Sequence, residues 1–312
     1  MLIIACFFAI KLYIFPLFIA FSLHICYDES NKEKKGGSDM VLFEYQKGDI
    51  WVHHTLDEVP NTQKLTIHAH TGYELYYFLR GEGYYTVEGN HYLLTPGTIL
   101  LIRDGETHMP HIRPTQPYER IAVHFPADYL ADEDTALTAL FQNRPLGTNN
   151  CFPPETADMA YLRATLLRLC TPSNTHAEKH IRAYLIPVLY ELAEHRGKST
   201  HIAPPPARPH DPLVIEVIEF INSHLTEEFN LEDLSQRFFF SKSHINKVFR
   251  AETGSSVWDY VVVKRLLYAR TLLHSGITAA GAAARSGFSD YSSFYRLYRR
   301  RFGVSPTQDK GK

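Results

Sequence analysis

NLEDLSQRFFFSKSHINKVFRAETG, residues 230–254, decides how the second half of this 312-residue chain is read. Asn230 can cap a short helix with Asp233 at its third position, an arrangement that satisfies two otherwise orphaned backbone N–H groups. Leu231, Leu234 and Phe238 fall on one side of that helix. Ser241 then caps a second helix with Ile245, Val248 and Phe249 inward, and Gly254 stands where a helix ends in a left-handed residue. The other side of this second helix carries Lys242, Ser243, His244, Asn246, Lys247 and Arg250, side chains that bond phosphates or base edges. A short helix, a tight turn and a polar-faced second helix make a helix-turn-helix unit.

The pattern returns farther along the chain. PLVIEVIEFINSHL (212–225) precedes it as a helix with Ile215, Ile218, Ile221 and Leu225 on one side. SVWDYVVVKRLLYARTLLHSG (256–276) follows, with Trp258, Val261, Leu266, Ala269 and Leu273 as inner positions. Thr278 opens an alanine-rich helix ending at Ser286-Gly287, and Ser289 or Asp290 caps DYSSFYRLYRRRFG. There Phe294 and Tyr298 point inward, while Tyr291, Ser292, Tyr295, Arg296 and Arg299 form a second outward face suited to DNA. Charge agrees with this reading. The whole chain has a formal charge of -2, yet every one of the 14 Lys and Arg residues after Asp211 lies at or beyond Arg237. A basic end on a near-neutral protein points to a polyanion met by one face.

These residues carry a resemblance. Ser241, Phe249, Gly254, Tyr260, Arg265, Ala269 and Leu273, then Ala283, Gly287-Phe288-Ser289-Asp290-Tyr291-Ser292, Phe294 and Gly303-Val304-Ser305-Pro306, resemble the DNA-binding signature of the AraC/XylS family of transcription regulators. Three positions depart from it: Ser235 in place of the usual Ala, Ala282 in place of a larger aliphatic, and Tyr298 in place of the common Phe. The resemblance implies a cytoplasmic protein that binds double-stranded DNA as a homodimer. It also implies a small-molecule effector, a sugar by family habit, and RNA polymerase as a partner if the protein is an activator.

The first half has a different texture. LTIHAH, YELYYFL, GYYTVEG, HYLLTPG, TILLIRDG and ERIAVHF read as short antiparallel strands of a barrel or sandwich. His68, His70 and Glu74 before Gly81, and His108 after Gly97 and Gly105, resemble the two motifs of cupin barrels, with Thr62, Arg103 and Ile112 replacing the usual Gly, Pro and Asn. That resemblance implies an effector site of His68, His70, Glu74, Tyr76 and His108. In cupin enzymes the four positions matching His68, His70, Glu74 and His108 hold a divalent metal, but AraC-type sensor domains often keep such histidines without one, so no metal is expected; a metal, if present, would sit on those four residues. About half of Tyr73, Tyr76, Tyr77, Tyr84 and Tyr85 should face inward on alternating strands. The helical stripe Ile181, Leu185, Val188, Leu189 and Leu192 fits equally well against its own barrel or against a second subunit.

The expected fold is therefore α+β and multidomain. A cupin-like antiparallel β-barrel spans 40–126, a helical dimerisation region 127–200, a proline-rich linker 201–212, and an all-α domain with two helix-turn-helix units 213–307. Residues 2–26 are almost wholly apolar, as in a membrane-spanning segment. Lys35-Gly36-Gly37, however, is encodable by a ribosome-binding sequence about seven nucleotides before the Met40 codon, so 1–39 is expected to be a non-native leader. Cys6, Cys26, Cys151 and Cys170 form no metal or disulfide framework. No catalytic residues are expected and no cofactor. The alternative is a metal-dependent cupin enzyme carrying a DNA-binding tail.

Overall fold

YELYYFLR, strand β3 (Tyr73–Arg80), is buried at every position but its last. A strand alternates its side chains between two faces, so burial throughout means that both faces are covered. Around it, β1 (Asp39–Lys47), β2 (Ile50–Asp57), β6 (Ile99–Ile102), β8 (Tyr118–Phe125) and β9 (Cys151–Phe152) complete a sheet ordered β1-β2-β8-β3-β6-β9. Strands β4 (Gly83–Val87), β5 (Asn90–Leu94) and β7 (His108–Ile112) form a smaller sheet ordered β5-β4-β7. The computed structural model describes residues 39–309 except 63–64, 132, 134, 155–158, 172–174 and 199–210. The leader and membrane-segment readings of 1–38, and most of the proline-rich segment, lie outside the described residues. Among those described, no helix is long and apolar enough to cross a membrane.

Tyr76 and Phe78 of β3 turn toward the smaller sheet and pack with Tyr85, Val87, Tyr92, Leu94 and Tyr118. Tyr73, Leu75, Tyr77 and Leu79 turn the other way, under helices α1 (Thr135–Gln142), α2 (Met159–Leu169) and α3 (Ala177–Lys198). Tyr73 stacks on Phe141 of α1 with ring centroids 4.2 Å apart. The sheets are not closed into the expected barrel. Each keeps its own ladder, and bulky side chains, rather than shared backbone hydrogen bonds, fill the space between them. The tyrosines divide as alternation requires: Tyr76 and Tyr85 face the space between the sheets, whereas Tyr73 and Tyr77 pack under the helices that cover the far face, and all four are buried.

Ile181, Leu185, Val188, Leu189 and Leu192 of α3 are fully buried in that same core, despite Pro187 inside the helix. The apolar stripe thus serves the chain's own sheet and is not available as a dimer face.

Helices α4 (Pro212–Ser223), α5 (Leu231–Phe238), α6 (Lys242–Thr253), α7 (Val257–His274), α8 (Ala279–Arg285) and α9 (Tyr291–Phe302) follow. Their ends are set by the residues the sequence offers. Asn230 and Asp233 form the reciprocal cap of α5, Ser241 accepts from His244 N, Thr278 caps α8 and Asp290 caps α9. Two apolar clusters share α7 as a common wall. Val257, Tyr260 and Val261 pack with α4, α5 and α6, whereas Leu266, Ala269 and Leu273 pack with Ala282, Ala283, Phe294 and Tyr298. Two expected inner residues lie outside. Ile215 is 38% exposed because α4 buries Val214, Val217, Ile218 and Ile221, and Trp258 is 44% exposed with the Arg265 guanidinium over its ring.

Candidate DNA-reading surface and effector pocket

Of the residues expected to meet DNA, Lys242, Ser243, His244, Lys247 and Arg250 of α6 are exposed, as are Tyr291, Ser292, Arg296 and Arg299 of α9. Tyr295 and Asn246 are half-buried. Lys242 is bridged to Glu232 of α5 at 2.8 Å, His244 stacks on Phe240, and Arg296 donates to Ser293 Oγ. These are weak surface contacts that a phosphate can displace. Asn246 differs. Its Oδ1 accepts from Val257 N at the start of α7, so this side chain fixes the angle between two helices and is not idle on the reading face.

What holds the two units together is Arg265. Its Nε donates to Leu225 O at 2.8 Å, one terminal nitrogen to Gly287 O at 2.7 Å and the other to Glu227 O at 2.6 Å. One guanidinium on α7 thereby ties the loop entering the first unit to the turn of the second. Gly287 has φ +83, and a Cβ there would lie 2.9 Å from Arg265 Nε, so both the backbone shape and the close approach require glycine.

The strand region holds a cavity of about 620 Å³. His68, His70, Glu74 and Tyr76 line it as expected, together with Trp51, Arg120 and His124, which sequence reading did not single out. His108 stands behind the wall, fully buried, with Nε2 3.2 Å from the Glu74 carboxylate. His70 Nε2 bonds Glu74 at 2.9 Å, and His124 Nε2 lies 4.0 Å from its other oxygen. Burial would push the Glu74 carboxyl up, but the imidazoles of His124, His108 and His70 outweigh it and hold the group well below the usual carboxylate range. Burial also lowers His68 well below its ordinary value and His124 to about 4. β8 pairs with β3 so that His124 stands opposite Glu74, a register that the sequence alone does not reveal.

The family described as an AraC-like ligand binding domain matches residues 59–186, and a helix-turn-helix domain family matches 234–311. The chain belongs to the AraC/XylS family of transcription regulators. It is 25% identical over 231 residues to the helix-turn-helix transcriptional regulator YbfI of Bacillus subtilis, covering 74% of this chain and 81% of that one. It is 25% identical to the transcriptional activator RhaS of Escherichia fergusonii (77% and 86% covered) and 24% identical to the arabinose operon regulatory protein of Escherichia coli (76% and 80%).

In this AraC-family chain the helix-turn-helix units dock on the strands through an ionic cluster. Glu88, in the β4–β5 turn, is 5% exposed and accepts from Lys264 Nζ at 3.0 Å, Tyr260 OH at 2.6 Å, Asn222 Nδ2 at 3.2 Å and Thr107 N at 2.6 Å. Burial opposes the Glu88 charge, yet Lys264, Tyr260 and Thr107 outweigh it and lower the carboxyl below its usual value. Nearby, His91 Nε2 meets Glu252 of α6 at 2.7 Å. The second unit reaches the strands differently, donating from Arg301 to Ala69 O at 3.0 Å and from Arg270 to Thr71 Oγ1 at 3.4 Å. Arg270, Arg301 and Phe302 also line the cavity, so part of its wall belongs to the second unit. The reading faces of α6 and α9 stay uncovered by this docking.

Proposed function

We propose that the chain is a one-component regulator, with a sensing region (40–126), a helical region (127–200) and a DNA-binding region (213–307), whose cavity takes a polar small molecule of carbohydrate class. Both helix-turn-helix units read double-stranded DNA. The observation that carries this is the pair of capped helices, α6 and α9, presenting polar faces while packed on one connecting helix. Imidazoles, phenols, a carboxylate and the Trp51 ring around 620 Å³ suit a hydroxyl-rich ligand with an apolar face. Two relatives, an activator and an arabinose regulator by name, support an activator responding to a sugar and contacting RNA polymerase. Its place is then the cytoplasm, where its target DNA is, and it carries out no catalysis. Pairing into a homodimer falls to the outer face of α3, where Tyr190 is 37% exposed.

Nuclease footprinting upstream of neighbouring genes tests this. Protection is expected over two successive major-groove segments roughly 10 base pairs apart. Changing Arg296→Ala together with Arg299→Ala is expected to abolish the second segment and to lower the salt dependence by about one for each lost phosphate contact. A single protected segment indifferent to those changes would sink two-unit reading. A panel of aldoses that leaves occupancy untouched would sink the carbohydrate class.

A further inference from the structure

Three arginines line the cavity among the strands, and one of them, Arg301, has its charge unmatched among the described residues. Arg120 of β8 lies 3.4 Å from the Asp57 carboxylate, and Arg270 of α7 lies 3.0 Å from Asp309. Arg301, near the end of α9, donates to Ala69 O at 3.0 Å and has no carboxylate within ion-pair distance among the described residues. A guanidinium carries five N–H donors in a planar fork, so most of its bonding capacity here is left for something outside the chain. Burial lowers the pKa of Arg301, yet a guanidinium stays protonated throughout the physiological range. The acids on the same wall do not neutralise it. Glu74 is ringed by the imidazoles of His70, His108 and His124, and Asp49, between β1 and β2, is exposed and out of ion-pair reach.

We propose that the ligand of this cavity is a sugar acid, of the hexuronate class, and that Arg301 of the second helix-turn-helix unit holds its carboxylate. This rests on reading the cavity as a carbohydrate site and adds the ligand's charge and orientation. The two oxygens of a carboxylate match the guanidinium fork in a bidentate pair, the stronger kind of hydrogen bond. The hydroxyls then fall toward Glu74 and its imidazoles, where a second negative charge would be repelled. One unmatched cation suits one negative charge, so a phosphate dianion facing the same Glu74 fits less well. Arg301 stands on α9, the helix that also carries Arg296 and Arg299 on its reading face. The acid therefore joins the strands to a DNA-reading helix through its own carboxylate, which a neutral sugar lacks. By linkage, whatever factor the acid imposes on DNA affinity, DNA imposes on the affinity for the acid.

Calorimetric titration of the full chain with glucuronate and galacturonate, beside glucose, galactose and glucose 6-phosphate, tests this. At least one hexuronate is expected to bind about tenfold or more tighter than its neutral counterpart, and tighter than the sugar phosphate. Arg301→Gln is expected to abolish that preference, and Arg301→Lys, which keeps the charge without the fork, to retain part of it. Arg300→Gln, whose side chain lines a different pocket with Ser293 and Arg296, should keep it in full. Circular dichroism and the thermal midpoint establish that each variant is folded. Equal affinity for each hexuronate and its neutral counterpart would overturn the acid and leave the carbohydrate class standing. A preference that survives Arg301→Gln would overturn Arg301 as the partner of the carboxylate. Binding of none of the sugars, acidic or neutral, would overturn the carbohydrate class itself and the acid with it.

Discussion

Helices α6 and α9 are each 12 residues long, each capped by an oxygen side chain and each closed by a left-handed glycine, Gly254 and Gly303. Their supports are not alike. In the first unit, α5 brings Leu231, Leu234 and Phe238 to the core, and the neighbouring helices are anchored to the strands through the buried Glu88–Lys264 pair. In the second, α8 offers only alanines, aromatic rings of α9 fill the space, and the strands are reached by two lone arginine hydrogen bonds beside the cavity. A buried ionic anchor is rigid because breaking it leaves a charge stranded, whereas part-exposed hydrogen bonds are exchanged for water at little cost. The contacts of the second unit with the strands are therefore the more easily exchanged of the two.

The largest expected effect comes from Glu88→Ala, which strands the Lys264 ammonium and the Tyr260 hydroxyl; a loss of about 3–5 kcal/mol in urea unfolding is expected. Thr71→Ala, at the second unit's contact, should cost under about 0.5 kcal/mol. Equal losses would erase the contrast. The pH dependence has a definite sign. A carboxyl lowered on folding contributes stability above its unfolded value, about 4.3, and loses it as pH falls through the lower folded value. Acid unfolding below about pH 4 should thus be less steep in Glu88→Gln than in the wild type. Next in size is Ala282→Leu, at a fully buried site against Phe294 and Tyr298, expected to cost about 1–3 kcal/mol by overpacking. Hydrogen exchange should localise that damage to α8 and α9 and spare α5 and α6. One effect is a gain. Phe239 ends α5 with φ 59 and is 92% exposed, so Phe239→Gly removes a left-handed strain of about 1–2 kcal/mol, less about 0.5–1 of glycine entropy, at no loss of burial. A higher thermal midpoint, with DNA affinity unchanged, is the expected reading.

Local features were legible in the sequence because their causes are local. Each cap, the turn glycines and the polar faces of α6 and α9 depend on residues no more than a few positions apart. The three departures from the family pattern acquire reasons only in three dimensions. Ser235 Oγ donates to Phe240 O across the turn, Tyr298 OH donates to Asp309, and Ala282 leaves room for the rings of α9. Hidden from sequence were contacts made across long separations: Glu88 with Lys264, His124 with Glu74, and Arg301 with Ala69. The open pair of sheets was missed for a related reason. Alternation of apolar residues specifies strands and faces, but not whether the last strand meets the first.

Arg265 carries one more consequence. By pinning both units to the same helix through three carbonyls, it turns the protein into a ruler of fixed length laid along the double helix. Operators whose two half-sequences match that length bind without distortion. Those one base pair too long or too short must twist or bend to fit, and the energy of doing so depends on how pliable the intervening bases are. Base pairs that no side chain touches would then contribute to target choice.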